Sequence, residues 1–128
     1  MKKLFVSVPM KGRTEQEIRE SIDKMKKIAE IYEGEELELI DSYIEHNPPQ
    51  NSNQAIWYFG ESLKKLSEAD VFIGIDDCYE WNGCEIEYRV ATSYGIICHC
   101  VKATSVIQNY RELIREKYKA MEKTCNPM

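Results

Sequence analysis

No stretch of this sequence is apolar for the roughly 20 residues that a bilayer crossing demands. The N-terminus offers two lysines and then only Leu4, Phe5, Val6 and Val8 before Pro9, far short of a secretory leader. A membrane partner is therefore not expected, and the chain is read as cytoplasmic. Positive charge is also short, with 17 Lys and Arg against 22 Asp and Glu for a net charge of −5. Non-specific binding to a phosphate backbone needs a basic stripe, so nucleic acid is disfavoured as a partner. Histidine is scarce: only His46 and His99 occur, and neither lies near Ser7 in sequence. A Ser-His-Asp triad built on Ser7 is not credible on that ground.

Five cysteines make an odd count, and in a reducing compartment they stay as thiols. Cys98-His99-Cys100 looks at first like part of a metal site. On a strand, however, the two cysteines point to one face and the histidine to the other, and no second pair at zinc spacing follows. The preferred reading is a buried strand of small side chains, with no metal site.

The remaining composition suits one ordinary domain. At 128 residues, 43% hydrophobic and 30% charged, the chain is long enough to bury a core and too apolar to stay disordered. We read residues 1–128 as a single domain without internal repeat or linker.

The hydrophobic period alternates along it. Leu4 to Val8 is a short apolar run stopped by Pro9, the pattern of a buried strand. Thr14-Glu15-Gln16-Glu17 forms a capping box, so a helix starts at Glu15. Ile18, Ile22, Met25, Ile28 or Ala29, and Tyr32 form its buried face, and Gly34 suits its end. Leu37 to Tyr43 alternates partly and ends in Asp41-Ser42, and the long stretch through Asn53 is irregular. Ile56, Phe59, Leu63 and Leu66 mark a second helical face, followed by a continuous apolar strand over Val71 to Ile75. Gly83 opens a third helix with Ile86, Val90, Ala91 and Tyr94 inward, closed at Gly95, and Ile96 to Val101 is a fourth buried strand. A last helix uses Ile107, Tyr110, Ile114, Tyr118 and Met121. Strands alternating with helices predict an α/β fold, a three-layer sandwich with a mainly parallel sheet of about four strands covered by helices on both faces.

In such sheets ligands lie beyond the carboxyl ends of the strands, where strand order reverses. That rule selects Ser7 to Thr14, Asp41 to Tyr43, and Asp76 to Glu87. Gly12, with Lys11 and Arg13 beside it, leads into a helix N-terminus and could present amides and charge to an anion. The loop is neither a P-loop nor a dinucleotide fingerprint. Ser7 is expected to hydrogen-bond within the site. Asp41 is equally a sugar-hydroxyl ligand or a turn former, and His46 is open to solvent or to ligand. Glu85 and Glu87 diverge by about 200° on a helix, so only one can face a cleft. Glu87 shares a face with Gly83 and Ala91, the small residues expected to let this helix approach the sheet. A carboxylate there, beside Asp76 or Asp77, suits glycosidic chemistry.

Phe5-Val6-Ser7-Val8-Pro9-Met10-Lys11-Gly12-Arg13-Thr14, then Ser67-Glu68-Ala69-Asp70-Val71, then Gly83-Cys84-Glu85-Ile86-Glu87-Tyr88-Arg89-Val90-Ala91 with Tyr94-Gly95, resembles the nucleoside 2-deoxyribosyltransferase-like superfamily, especially its small phage and bacterial branch. The resemblance covers Leu4 to about Val101. It implies a flavodoxin- or Rossmann-like fold in which Glu87 attacks C1′ of a nucleoside or nucleoside 5′-monophosphate. The covalent glycosyl enzyme would pass to water or to a second base, with Asp76 near the sugar and base. Pro9, Met10 and Gly12 match the loop around the ribosyl end, and Lys11, Arg13 and Thr14 are the phosphate candidates. A homodimer or larger assembly is implied, and no cofactor is required. The sequence departs from the family at Phe5, where a tyrosine commonly holds the glutamate, so Glu87 must be oriented from elsewhere. Val8 replaces a glycine, and Asp77 to Trp81 replaces a serine- and proline-containing loop. Trp81 or Tyr79 either stacks on a base or closes over a core edge. The second expectation is a binding module that retains the pocket and sequesters or senses a nucleotide without turning it over.

Overall fold

The protein is described by a computed structural model over residues 1–10, 12–41, 44, 46–76, 82–107, 110–112 and 114–116. Its elements are β1 (Lys3–Val6), α1 (Glu15–Glu33), β2 (Glu38–Leu39), α2 (Gln54–Leu66), β3 (Val71–Ile75), α3 (Asn82–Ser93), β4 (Ile97–Val101) and α4 (Ala103–Val106). Every strand pairing is parallel and the sheet order is β2-β1-β3-β4. Strand order reverses between β1 and β3, which is the doubly wound, flavodoxin-like arrangement.

Alternation along the strands builds two cores. Leu4, Val6 and Val8 join Val71, Ile73, Ile75 and Val101 on one face, against Met25 and Ala29 of α1 and Val106 of α4. Phe5 and Phe72 point to the other face, against Leu66 of α2 and Ala91 of α3. There the Phe5 and Phe72 rings stack with centroids 6.0 Å apart, and Tyr88 of α3 tilts over Phe72 at 6.2 Å. The three layers are thus helix, sheet and helix.

α1 begins as its capping box dictates: Thr14 Oγ1 accepts from the Glu17 amide at 3.1 Å, and Glu17 Oε1 accepts from the Thr14 amide at 3.4 Å. Gly34 closes it with φ 72°, a left-handed value that favours glycine. Tyr32, expected inward, is instead 60% exposed and stacks on His99 of β4 at 5.0 Å. His99 Nε2 lies 2.6 Å from Glu33, opposite the face to which Cys98 packs. The hydrogen bond from His99, helped by its charge and that of Lys2, outweighs burial and holds the Glu33 carboxyl below the usual glutamate range.

Several boundaries differ from the sequence reading. β2 is only Glu38–Leu39, although Ile40 still donates its amide to Leu4 O at 2.9 Å. Ile56 is 67% exposed, because α2 meets the core through its last turns, at Leu63 and Leu66. Ile107 is buried but not helical; it ends α4 in an extended conformation, and helical backbone resumes over 110–112 and 114–116. Tyr43, Tyr118, Met121 and the tail from Lys123 to Met128 lie outside the described residues. Among the described residues no helix is long and apolar enough to cross a membrane.

Gly74 in β3 is required by a close approach: a Cβ there would stand 2.7 Å from Cε1 of Phe72. Phe72 is fully buried between Phe5 and Tyr88 and cannot withdraw cheaply. Gly74→Ala is therefore expected to cost about 1–3 kcal/mol by overpacking, measured as a lower urea midpoint with unchanged slope. An unchanged midpoint would mean that the ring yields freely.

Candidate functional site

The site forms where β1 leaves the sheet. Ser7 follows β1 and is anchored by its amide to Ile73 O of β3 at 2.9 Å. Because it continues the Phe5 face, its side chain points toward α2 and α3 rather than toward α1. Glu87 sits one turn before Ala91 on the inward side of α3, with 9% of its surface exposed. Glu85 points outward and pairs with Arg89 at 2.8 Å, so the two carboxylates do diverge as helical geometry requires.

Both oxygens of the Glu87 carboxyl are engaged. Ser7 Oγ donates to Oε1 at 2.8 Å, and Ser62 Oγ of α2 donates to Oε2 at 2.5 Å. Burial pushes the Glu87 carboxyl above the usual glutamate range, and the two serine hydrogen bonds oppose it without cancelling it. Ser7 is almost completely buried whereas Ser62 is partly accessible, so the two oxygens have donors of different exposure. Such a carboxylate, dehydrated and fixed by neutral donors, can act as a nucleophile or as a proton acceptor.

Ser62 is the residue that sequence reading missed. Its position, three after Phe59 and four before Leu66, places a hydroxyl within an apolar helical stripe. That polar interruption was the available signal.

The other candidates separate into groups. Asp76 is exposed just past β3, its amide donating to Val101 O at 2.7 Å. Met10 and Asp41 line a cleft of about 810 Å³ together with Val6, Ile18, Ile44 and Tyr58. This volume suits a small molecule, but the cleft opens on the α1 side of β1, the face opposite Ser7. Pro9 and Arg13 belong to an internal clasp: Arg13 donates to Pro9 O at 3.0 Å, Glu17 O at 3.1 Å and Ser21 Oγ at 2.6 Å. Ser21 in turn donates to Val106 O at 2.5 Å, tying the loop to α4. Thr14 is occupied as the helix cap. Gly12 has φ 77°, the left-handed turn that lets the loop enter α1. Gly83 corrects an expectation, since it is exposed and an added Cβ would meet nothing within 4 Å. Close packing of α3 on the sheet comes at Ala91 instead, which is fully buried against Phe5, Leu66 and Phe72. Lys11, Asp77, Tyr79 and Trp81 lie outside the described residues.

The raised Glu87 carboxyl has a stability consequence. Between the unfolded and folded titration points the native state holds a proton that the unfolded state has lost, so stability falls as pH rises through that window. Glu87→Gln removes the buried charge while keeping a polar group of the same shape. It is expected to stabilise the fold, and by more at about pH 8 than at about pH 4, in urea titrations at both values. A pH-independent difference would show that the carboxyl is not desolvated.

No family model, curated protein or solved structure matches the chain.

Proposed function

We propose that the protein cleaves the N-glycosidic bond of a nucleoside or nucleoside 5′-monophosphate, with Glu87 as the nucleophile. The observation that carries this reading is the buried Glu87 carboxyl held on both oxygens by Ser7 and Ser62. A glutamate used merely to cap a helix would keep more contact with solvent, as Glu85 does at 29% exposure beside Arg89. An oxygen of Glu87 gives its electron pair to C1′ as the C1′–N bond breaks and its pair passes to the base. The departing base takes a proton, and Asp76 at the carboxyl end of β3 is the group proposed to handle it. Water or a second base then attacks C1′ and restores the carboxylate, giving hydrolysis or 2-deoxyribosyl transfer respectively. Nucleophile, leaving group and acceptor suffice for this sequence, and the reading invokes no metal or cofactor.

The resemblance supplies the substrate class, and the serine pair supplies what Phe5 lacks. Phe5 is stacked in the core on Phe72, so the tyrosine hydroxyl expected at that position is replaced by two hydroxyls from other elements. The reading further includes a cytoplasmic location and a homodimer or larger assembly. Exposed Ile56, Tyr58, Tyr94 and Ile97 offer apolar surface for such contacts.

The test is chromatography of free base released from nucleosides and their 5′-monophosphates, with and without an acceptor base. Wild type is expected to release base, and Glu87→Ala to lose at least about three orders of magnitude in rate. Dependence on the acceptor separates transfer from hydrolysis. Nucleotide binding by both proteins without release would instead establish the sequestering module. Since only the ionised carboxyl attacks, kcat/KM should be present above its raised pKa and lost on acidification through it. An acid limb at the position of a solvent-exposed glutamate would contradict the assignment.

A further inference from the structure

We propose that Ser62 is the residue that reads the 2′-position of the sugar, and that the site accepts a 2′-hydroxyl-bearing ribonucleoside or ribonucleotide through it. The inference rests on the glycosidic reading of Glu87. Of the two carboxyl oxygens, Oε1 faces Ser7, which is 2% exposed, while Oε2 faces the partly accessible Ser62. Of the two oxygens, the one beside the more accessible serine is the one assigned to meet the sugar. Oε2 is thus the attacking oxygen, and Oε1, kept by Ser7, becomes the carbonyl oxygen of the glycosyl ester. Displacement of a base from the β-face brings the nucleophile to the α-face of C1′, the face that carries the 2′-hydroxyl in a ribose.

Ser62 then lies beside that hydroxyl. Its Oγ is 2.5 Å from Oε2, and Oε2 in a reactive complex is about 3–3.5 Å from C1′. The Ser62 proton is committed to Glu87, but a hydroxyl has two acceptor lone pairs, which leaves capacity to accept from the 2′-hydroxyl. As the C1′–N bond breaks, its pair leaves with the base and positive charge grows at C1′. The 2′-hydroxyl becomes a better donor, so its bond to Ser62 strengthens in the transition state. When the C1′–Oε2 bond closes, Oε2 loses its anionic charge and its hold on Ser62 weakens. A 2′-deoxy sugar offers no such donor.

The measurement is base release from matched ribo and 2′-deoxyribo 5′-monophosphates and nucleosides by wild type, Ser62→Ala and Ser62→Cys. Each ribo-to-deoxyribo ratio of kcat/KM comes from one preparation, so the folded fraction cancels. Wild type is expected to turn over the ribo substrate, and the ratio to fall roughly tenfold in both variants, the loss of one hydrogen bond. The cysteine is nearly isosteric and a weak hydrogen-bonding group, so it decides the point should the alanine variant fail to fold. A second readout is the pH profile on the deoxy substrate. Loss of the Ser62 donor should move its acid limb upward in either variant, which a general loosening of the fold would not do. A wild type inert toward ribo substrates, or a ratio unmoved in the variants, overturns the role of Ser62 and leaves Glu87 as nucleophile. If wild type releases base from neither sugar, the glycosidic reading itself falls and this inference with it.

Discussion

A carboxylate withdrawn from water must be met by donors, and the arrangement at Glu87 is organised around that requirement. Desolvation of such an ion costs several kcal/mol, while each hydrogen bond to a charged group returns about 1.5–3 kcal/mol. Two serine donors oppose that cost, and the direction of the Glu87 shift says that desolvation still wins. The donors come from the exit of β1 and from α2, while the acceptor comes from α3. The constellation therefore exists only when both helices dock on the Phe5–Phe72 face. Packing of Leu66, Ala91 and the stacked rings is what brings the polar groups to bonding distance.

Much of this was legible in the sequence, for local reasons. The capping box at Thr14 and the glycine at 34 specify α1 through backbone groups a few residues apart, and the structure uses both. Alternation in Leu4 to Val8 and Val71 to Ile75 specifies two cores, and parity alone sends Ser7 and Glu33's partner His99 to opposite faces. What was not legible depends on distance in sequence. Ser62 meets Glu87 across 25 residues, and Ser21 meets Val106 across 85, so neither contact has a local signature. Ile56 looked apolar and inward because periodicity reports a face, not how far along the helix the core extends. Gly83 looked like a packing residue for the same reason, although α3 touches the sheet a turn or two later.

Arg13 carries a related lesson about charge. A basic residue before a helix start reads naturally as an anion ligand, yet its guanidinium fork is divided between Pro9 O, Glu17 O and Ser21 Oγ. Its Nε is buried without a partner among the described residues. Planar donors of fixed geometry are well suited to gathering backbone carbonyls, and here they hold the loop after β1 against α1 and, through Ser21, against α4. The loop that carries Ser7 is thereby braced from the opposite side of the sheet. With Thr14 also occupied as a cap, the side chains of both residues are engaged in shaping the loop.

The choice of serine at both contacts has a chemical meaning. A lysine or arginine beside Glu87 would ionise it fully and repair its desolvation, making the fold more stable. It would also hold the electron pair that a nucleophile must give away, since basicity and nucleophilicity fall together as a carboxylate is stabilised. Removing the donors altogether would leave the carboxyl protonated over a wider pH range and free to rotate. Two neutral hydroxyls fix the orientation of both oxygens while leaving the charge incompletely compensated. The site thus retains a raised carboxyl at some expense in stability, the compromise that the proposed nucleophilic role of Glu87 would require.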